Sequence, residues 1–481
     1  MYKHGAFAEI MATKDYIPPK ALGTLPVYFG TLPVHQFREY SDKVNTPILV
    51  SSFSAAEVQA GYNDEWSSFT LCEAIDAHFR NNIKPIGPIV LINVLDPSKH
   101  ATENKTVTVS LLNKTGYIEN NKVILDSISI ADKQLGVDYD VKYTSDGNRI
   151  EIKDIKGTIL TPVEVSFKEV DLALVTESEL IGGTDAETGI KTGISVVDYV
   201  YLTHNMVPTL FCAPGWSEKE TVDTALKAAS QKINNHWYAF VNSDIESTSV
   251  KTIKHAKQAK VEKSYVSSNE SPCWPMAYKG TKKYHLSTLA TVTMQWVDYE
   301  NGGVPYETPS NKPVDVVGMC LADGKPIIFD QVQANDLNYK GIRTLSYWGG
   351  RWVLWGGHTG EYEYGKDIDK KNVFDCSVRM LQYIANTFQS RYGIQVDKPM
   401  NRALKDTILN DMQEWLDNLI AQGKILLGEI VFEETSNPTS DVVEGDFVFD
   451  IATTTTPPGK SLTAKICYTV EGIDVLFGGD E

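Results

Sequence analysis

Two glycine-rich stretches hold the residues best placed to do chemistry. IGGTDAETGIKTG, residues 181–193, combines glycines, a lysine and threonines in the manner of a phosphate-binding loop. Such a loop needs four residues between its glycines and then Gly-Lys-Ser/Thr, so that backbone amides wrap the phosphate and the lysine reaches it. Here five residues separate Gly183 from Gly189, and Ile190 intrudes before Lys191-Thr192. The preceding LVTESEL is a poor buried strand, so a glycine-rich structured loop is the preferred reading. The second stretch, SYWGGRWVLWGGHTG (346–360), packs Trp348, Trp352 and Trp355 among two Gly-Gly pairs, with Arg351 and His358 close by. Aromatics in such a loop can stack on sugars or nucleobases. The preferred reading is a strand with Trp352 and Leu354 on one side, Val353 and Trp355 on the other, and glycine turns. His358 then reads as a loop or interface residue.

Beyond these stretches the chemical signals are absent. No GxSxG, HExxH, GxGxxG or EF-hand loop occurs, and the nine histidines are spread singly without helical metal spacing. Six cysteines, at 72, 212, 273, 320, 376 and 467, form no close pair, which predicts reduced and mostly buried thiols. No catalytic residue, metal ligand or cofactor site is expected. The formal net charge of -17 argues against nucleic acid and anionic membranes as partners. His4, Glu9 and Asp15 interrupt the start where a signal peptide needs an unbroken apolar core, and no apolar run reaches membrane-spanning length. Folding in the cytoplasm without membrane insertion is expected.

The 481 residues allow several domains. The expected class is α/β with mixed α+β parts, multi-domain. LPVYFG, TPILVSS and PIVLINVL read as strands around a helix in SSFTLCEAIDAHFRNN, with Ser67 or Ser68 as its N-cap. Residues 101–170 change to short Val-, Ile- and Thr-rich runs, including an Asp146-Gly147 hairpin signal, and predict an inserted β domain. The α/β pattern resumes with the VPTLFCAPG strand, the KETVDTALKAASQKI helix and the WYAFVNSD strand. The α/β unit thus spans 21–100 and 171–345, and a last α/β unit spans 346–460.

In that last unit, Phe374, Val378, Leu381, Ile384 or Ala385, and Phe388 form one helical stripe. Leu404, Ile408, Met412, Trp415, Leu416 and Leu419 form another, with Gly423 where a C-terminal cap belongs. DFVFDI and SLTAKICYTV alternate as closing strands, the second through Leu462, Ala464, Ile466, Tyr468 and Val470.

Both chain ends are extended segments beyond a proline pair: an arm of residues 1–20 ending at Pro18-Pro19, and residues 461–481 beyond Pro457-Pro458-Gly459. Each could pair with its own sheet's edge, or add to a neighbour's sheet through main-chain hydrogen bonds. Both readings stand on the residues alone.

Five blocks, in order, resemble the tail sheath proteins of contractile phages and phage-tail-like bacteriocins. HGAFAEI with LGTLPVYFGTLPVH is similar to the family's opening segment. GGTDAETGIKTG followed by VPTLFCAPGW resembles its central block, and KKYHLSTLATVTMQWVDYENGGVPYETPSNKP the block after it. ANDLNYKGIRTLSYWGGRWVLWGGHTG is similar to the lead into the C-terminal domain. NPTSDVVEGDFVFDIATTTTPPGKSLTAKI resembles the closing pattern. Residues 101–170 fall where members vary, and EGIDVLFGGDE continues past the usual last strand.

The resemblance implies a structural subunit, not an enzyme, that stacks as hexameric rings in a helical sheath around an inner tail tube protein. Baseplate and tail terminator proteins are implied partners, in a virion or phage-tail-like particle assembled in the bacterial cytoplasm. Contraction would drive the tube through a target envelope. It implies subunit-linking arms at Gly5, Ala6, Phe7, Ala8 and Glu9 and at Leu462, Ala464, Ile466, Tyr468 and Val470. Hinges are implied at Pro18, Pro19, Pro457, Pro458 and Gly459, and a tube-facing helix at 401–422 with Lys405, Asp406 and Asp411. On this reading Arg351 and His358 become structural or subunit contacts.

Overall fold

Six short segments form the central sheet of the computed structural model, which describes residues 23–477. They are β1 (Pro26–Gly30), β2 (Pro47–Val50), β3 (Ile89–Asn93), β4 (Leu210–Cys212), β5 (Phe240–Asp244) and β6 (Glu270–Cys273). Their spatial order is β6-β5-β4-β1-β3-β2, parallel except for the antiparallel edge strand β2. Every residue of β1 and β3 is buried, as a parallel sheet covered on both faces requires. The arm residues Gly5, Ala6, Phe7, Ala8 and Glu9 and the hinge pair Pro18 and Pro19 lie outside the described residues.

Four helices cover the sheet: α1 (Leu71–Phe79), α2 (Glu220–Ser230), α3 (Ile253–Glu262) and α4 (Leu286–Glu300). In α4, every residue from Leu286 to Asp298 is buried. A helix buried all round, with polar residues such as Gln295 and Asp298 turned inward, shows no apolar stripe against a solvated face, so sequence periodicity assigned nothing there. Its hydroxyls are absorbed locally, Thr291 Oγ1 donating to the Ser287 carbonyl at 2.8 Å and Thr293 Oγ1 to Leu289 at 2.7 Å. The expected N-cap of α1 is corrected. Ser67 and Ser68 lie in a turn, and the helix starts after Thr70, whose side chain makes no capping bond. Thr70 instead exchanges hydrogen bonds with Thr31 at the end of β1.

Residues 105–167 form two three-stranded sheets around their own core of Ile118, Ile130, Val141, Ile150, Ile152, Val165 and Phe167. The Asp146-Gly147 signal joins Tyr139–Tyr143 to Ile150–Asp154, with Gly147 at φ +67. KVILDSISI yields only the two-residue strand Ser129–Ile130 after a 3-10 turn.

The last unit contains a hairpin, β7 (Thr344–Trp348) and β8 (Arg351–Trp355), then helices α5 (Asp375–Tyr392) and α6 (Arg402–Ala421). It closes with a two-stranded antiparallel sheet, β9 (Ile425–Val431) and β10 (Asp450–Thr455). Ile408, Met412, Leu416 and Leu419 of α6 are buried as the stripe predicts. Gly423, at φ +70, ends α6 by sending its N–H to Ile420 and the next N–H, of Lys424, to Leu419. That is the Schellman arrangement, which favours glycine.

Three expectations need correction. Met380, not Leu381, is fully buried on α5, because the first turn enters the core on all sides. The DFVFDI strand begins at Asp450, so Phe447 and Phe449 precede it. SLTAKICYTV forms no strand within the chain and pairs with none of the described sheets.

Candidate assembly site

The β9–β10 pair is a sheet with one edge filled and one edge bare. Gly428 lets β9 press onto α6, since a Cβ there would lie 2.9 Å from Ile425 Cδ1 and 3.1 Å from Leu416 Cβ. On the outer side of β9, the Gln413 amide donates to the Gly428 carbonyl at 3.0 Å and accepts from the Ile430 N–H at 3.1 Å. One side chain therefore occupies the middle of that edge as a strand would. Gly428 and Ile430 face away from β10, so their register partners Thr453 and Ile451 face away from β9. No third strand pairs with β10 among the described residues. A two-stranded sheet is marginal alone, and an open edge is a template for another chain.

The chain then crosses Pro457-Pro458-Gly459 into residues 461–470, which are exposed throughout. Leu462 is 92% exposed, Ile466 93%, Tyr468 80% and Val470 64%. Alternate apolar side chains in water, in a segment belonging to no strand, are the inverse of an open edge. Burying each on a partner would contribute about 1.5–3 kcal/mol.

Behind this surface lies a buried polar frame. Arg343 sits between the sheet and the last unit. Its Nε donates to the Gly356 carbonyl and its Nη1 to Asn242 Oδ1 of β5, each at 3.0 Å, and its Nη2 pairs with Asp375 of α5. Both ionic side chains are 0% exposed. One turn on, Arg379 Nη2 pairs with Asp298 at the end of α4, which also accepts from Thr24 Oγ1 at 2.8 Å. Burial raises the Asp375 and Asp298 carboxyls against the pull of Arg343 and Arg379 respectively. The first turns of α5 are thus tied to three elements of the central body.

A second cluster lies at the carboxyl ends of the parallel strands, where α/β folds place ligands. His285 Nδ1 meets Glu73 Oε2 at 2.7 Å, its backbone N–H donates to Glu73 Oε1 at 2.6 Å, and Nε2 is 3.7 Å from Glu218. Burial opposes the imidazolium, but Glu73, Asp244 and Glu218 outweigh it and raise His285 to about 10. Burial pushes Asp244 up to about 6, although Ser287 donates to it twice. A histidine held charged by a carboxylate is no general base, and the nearby Cys212 thiol is pushed up by burial. This arrangement is a structural ion cluster, and pattern reading missed it because its members are single residues far apart in sequence.

The glycine-rich stretches resolve in the same direction. Gly183–Thr184 pairs with Lys191–Thr192 around a turn in which Asp185 accepts from the N–H groups of Glu187 and Thr188. Lys191 is held by Asp198, not presented to a phosphate. Gly349 and Gly350, at φ +59 and +80, form the β7–β8 turn. Gly356 and Gly357 are packing positions instead of a turn, where a Cβ would strike Asn338 at 2.5 Å and Thr308 at 2.4 Å. Arg351 is exposed at the hairpin tip, while His358 is buried between the rings of Tyr362 and Phe374. Burial lowers His358 to about 4, and its Nδ1 bonds the Val373 carbonyl at 3.0 Å.

On α6, Lys405 and Asp406 pair with each other at 3.0 Å on the partly exposed side. Asp411 faces α5 instead, accepting from Tyr392 OH at 2.6 Å and pairing with Arg391 at 3.2 Å. No group of three His, Cys, Asp or Glu side chains suited to a metal occurs among the described residues, and no helix there is long and apolar enough to cross a membrane. Five of the six cysteines are buried and Cys467 is exposed.

No family model matches the chain. It is 24% identical over 459 residues to the tail sheath protein of Burkholderia phage BcepMu, covering 91% of this chain and 92% of that one. Its fold matches a chain of the six-fold symmetrised anti-feeding prophage baseplate with a TM-score of 0.57 at 12% identity, over 97% and 99% of the two chains. It also matches the contracted PVC sheath complex of an extracellular contractile injection system, with a TM-score of 0.56 at 12% identity over 98% and 99%. Over nine-tenths of its length the chain is thus similar to a phage tail sheath protein, and over 60–68% of its length to further tail sheath proteins of phages and a prophage.

Proposed function

We propose that this subunit polymerises as stacked hexameric rings into a helical sheath around an inner tail tube, and that contraction drives the tube through a target envelope. The carrying observation is the bare outer edge of β10 in a chain that also carries an exposed alternating segment at 461–470. Residues 461–470 of one copy, and the arm around Gly5–Glu9 of another, add as strands to this sheet in a neighbour. A head-to-tail contact of this kind generates rings or open helices according to its rotation.

The buried Arg343 and Arg379 frame lets the folded body move as a unit, so changes between extended and contracted packings fall on Pro18-Pro19 and Pro457-Pro458-Gly459. The extended sheath is a kinetically trapped packing. Lys405 and Asp406 face the tube, and the baseplate and tail terminator fix the ends. Assembly takes place in the bacterial cytoplasm and ends in a virion or phage-tail-like particle.

Deleting residues 1–15 or 461–481 tests this reading. A folded, soluble subunit without tubes by negative-stain microscopy is expected; normal tubes from either truncation would refute strand exchange.

A further inference from the structure

Two acids meet out of reach of water where the last strand of the central sheet touches the last unit. Asp223 of α2 and Glu270 of β6 are both 0% exposed and share one ammonium. Lys227 Nζ lies 2.6 Å from Asp223 Oδ2 and 3.5 Å from Glu270 Oε1. Ser243 Oγ of β5 donates to Asp223 Oδ1, and the Ser267 N–H donates to Glu270 Oε1 at 2.7 Å. Glu270 Oε2 and Asp223 Oδ2 are left without a hydrogen-bond partner, since Lys227 approaches Oδ2 off the hydrogen-bonding direction. Two orphaned acceptors on touching carboxyls are unfavourable, and a single proton between them satisfies both.

The other polar and charged groups around the pair leave that proton in place. Lys260 of α3 turns its Nζ to the Lys340 and Tyr362 carbonyls, and burial lowers it to about 8. Tyr265 OH donates to the Ser217 carbonyl at 2.8 Å, and Glu220 is exposed and accepts from Ser264 Oγ at 3.2 Å. Burial raises both acids, and the Asp223 charge raises Glu270 further.

We propose that Glu270 is a neutral acid at neutral pH, its Oε2–H donating to Asp223 Oδ2, and that this shared proton latches the last unit to the central sheet. The loop after β8 rests on Glu270. The Gly360 N–H donates to the Glu270 carbonyl at 2.8 Å, and the Glu361 N–H to Ser267 at 3.0 Å. A Cβ at Gly360 would lie 2.9 Å from Glu270 Cγ, so the side chain has no room to retreat. With the proton in place, the two acids and Lys227 sum to zero charge. When the proton passes to solvent base, two carboxylates face each other over one ammonium, and Glu270 presses on the 357–361 loop. The latch therefore stabilises at low pH and is lost as pH rises through the raised folded-state value. This holds whether or not the subunit polymerises.

The test compares the full chain with Glu270→Gln, whose amide can donate to Asp223 in place of the acid, and with Asp223→Asn. Infrared difference spectra at pH 7 should show the C=O stretch of a protonated carboxyl in the unaltered chain and its loss in both variants. Glu270→Gln should keep Tm within about 2 °C at pH 7. Hydrogen-exchange protection of residues 357–361, corrected for base catalysis, should drop between pH 7 and 10 in the unaltered chain and hold in Glu270→Gln. No such band, a band that survives both variants, or failure of Glu270→Gln to fold overturns the shared proton. Equal loss of protection in Glu270→Gln overturns the latch and assigns the opening to another group such as Lys260.

Discussion

Arg343 and Asp375 form an ion pair with no solvent exposure on either side chain, joining the start of β7 to the first turn of α5. Arg343 also reaches Asn242 in the middle of β5, so one side chain registers the last unit against the central sheet.

Arg343→Met should destabilise the protein by about 3–5 kcal/mol, because it strands a buried carboxylate. The double variant Arg343→Met/Asp375→Leu should recover only part of this loss, since the Gly356 carbonyl and Asn242 Oδ1 stay unpaired. Urea midpoints of the single and double variants check both statements.

The His285 cluster gives stability a defined pH window. The imidazole is raised from 6.5 to about 10 in the fold, so its contribution is complete below about 6.5 and is lost as pH rises through 10. Asp244, raised from 3.8 to about 6, contributes fully only below about 3.8 and loses that contribution as pH rises through 6, outside that window. Tm should fall between pH 7 and 10, and His285→Gln should be less stable at pH 7 and change less across that range. A variant with the wild-type slope would remove His285 as the cause.

Gly423→Ala should lower stability by about 1–2 kcal/mol, because the left-handed turn after α6 favours glycine. Gly393 follows α5 at φ -54 with open space around a Cβ, and Gly393→Ala should stabilise by about 0.4–1 kcal/mol. Thermal denaturation of the pair separates backbone conformation from composition.

Charge reversal on α6 should separate tube docking from folding. Lys405→Glu and Asp406→Lys should leave Tm unchanged while weakening co-assembly with the inner tube protein. Asp411→Lys should instead destabilise by about 1 kcal/mol through loss of the Tyr392 and Arg391 contacts. Co-sedimentation alongside thermal melts reads the two effects apart.

The legible parts of this chain were those with a helical period or a strand-length apolar run. The apolar runs of β1, β3, β4 and β5 and the stripe of α6 are side-chain patterns that local geometry imposes. The polar residues of α4, Thr291, Gln295 and Asp298 among them, are buried and hydrogen-bonded, so the helix has no solvent-facing side for a pattern to mark. Arg343, Asp298, Asp375 and Arg379 carry no pattern in the sequence, because their partners lie from 32 to 101 residues away. The alternation of 461–470 predicts a strand, but the segment is exposed and pairs with none of the described sheets. The ordered blocks pointed to the family, while Gln413 closing one sheet edge became visible only in three dimensions.

The most direct test of strand exchange is a proline at Thr453, whose N–H faces away from β9. Proline is tolerated on an edge strand when its missing N–H faces outward, so Thr453→Pro should keep the β9–β10 ladder while removing a donor that an incoming strand needs. Negative-stain microscopy of this variant should show folded subunits and no tubes, whereas striated tubes like those of the unaltered chain would contradict assembly through the outer edge of β10.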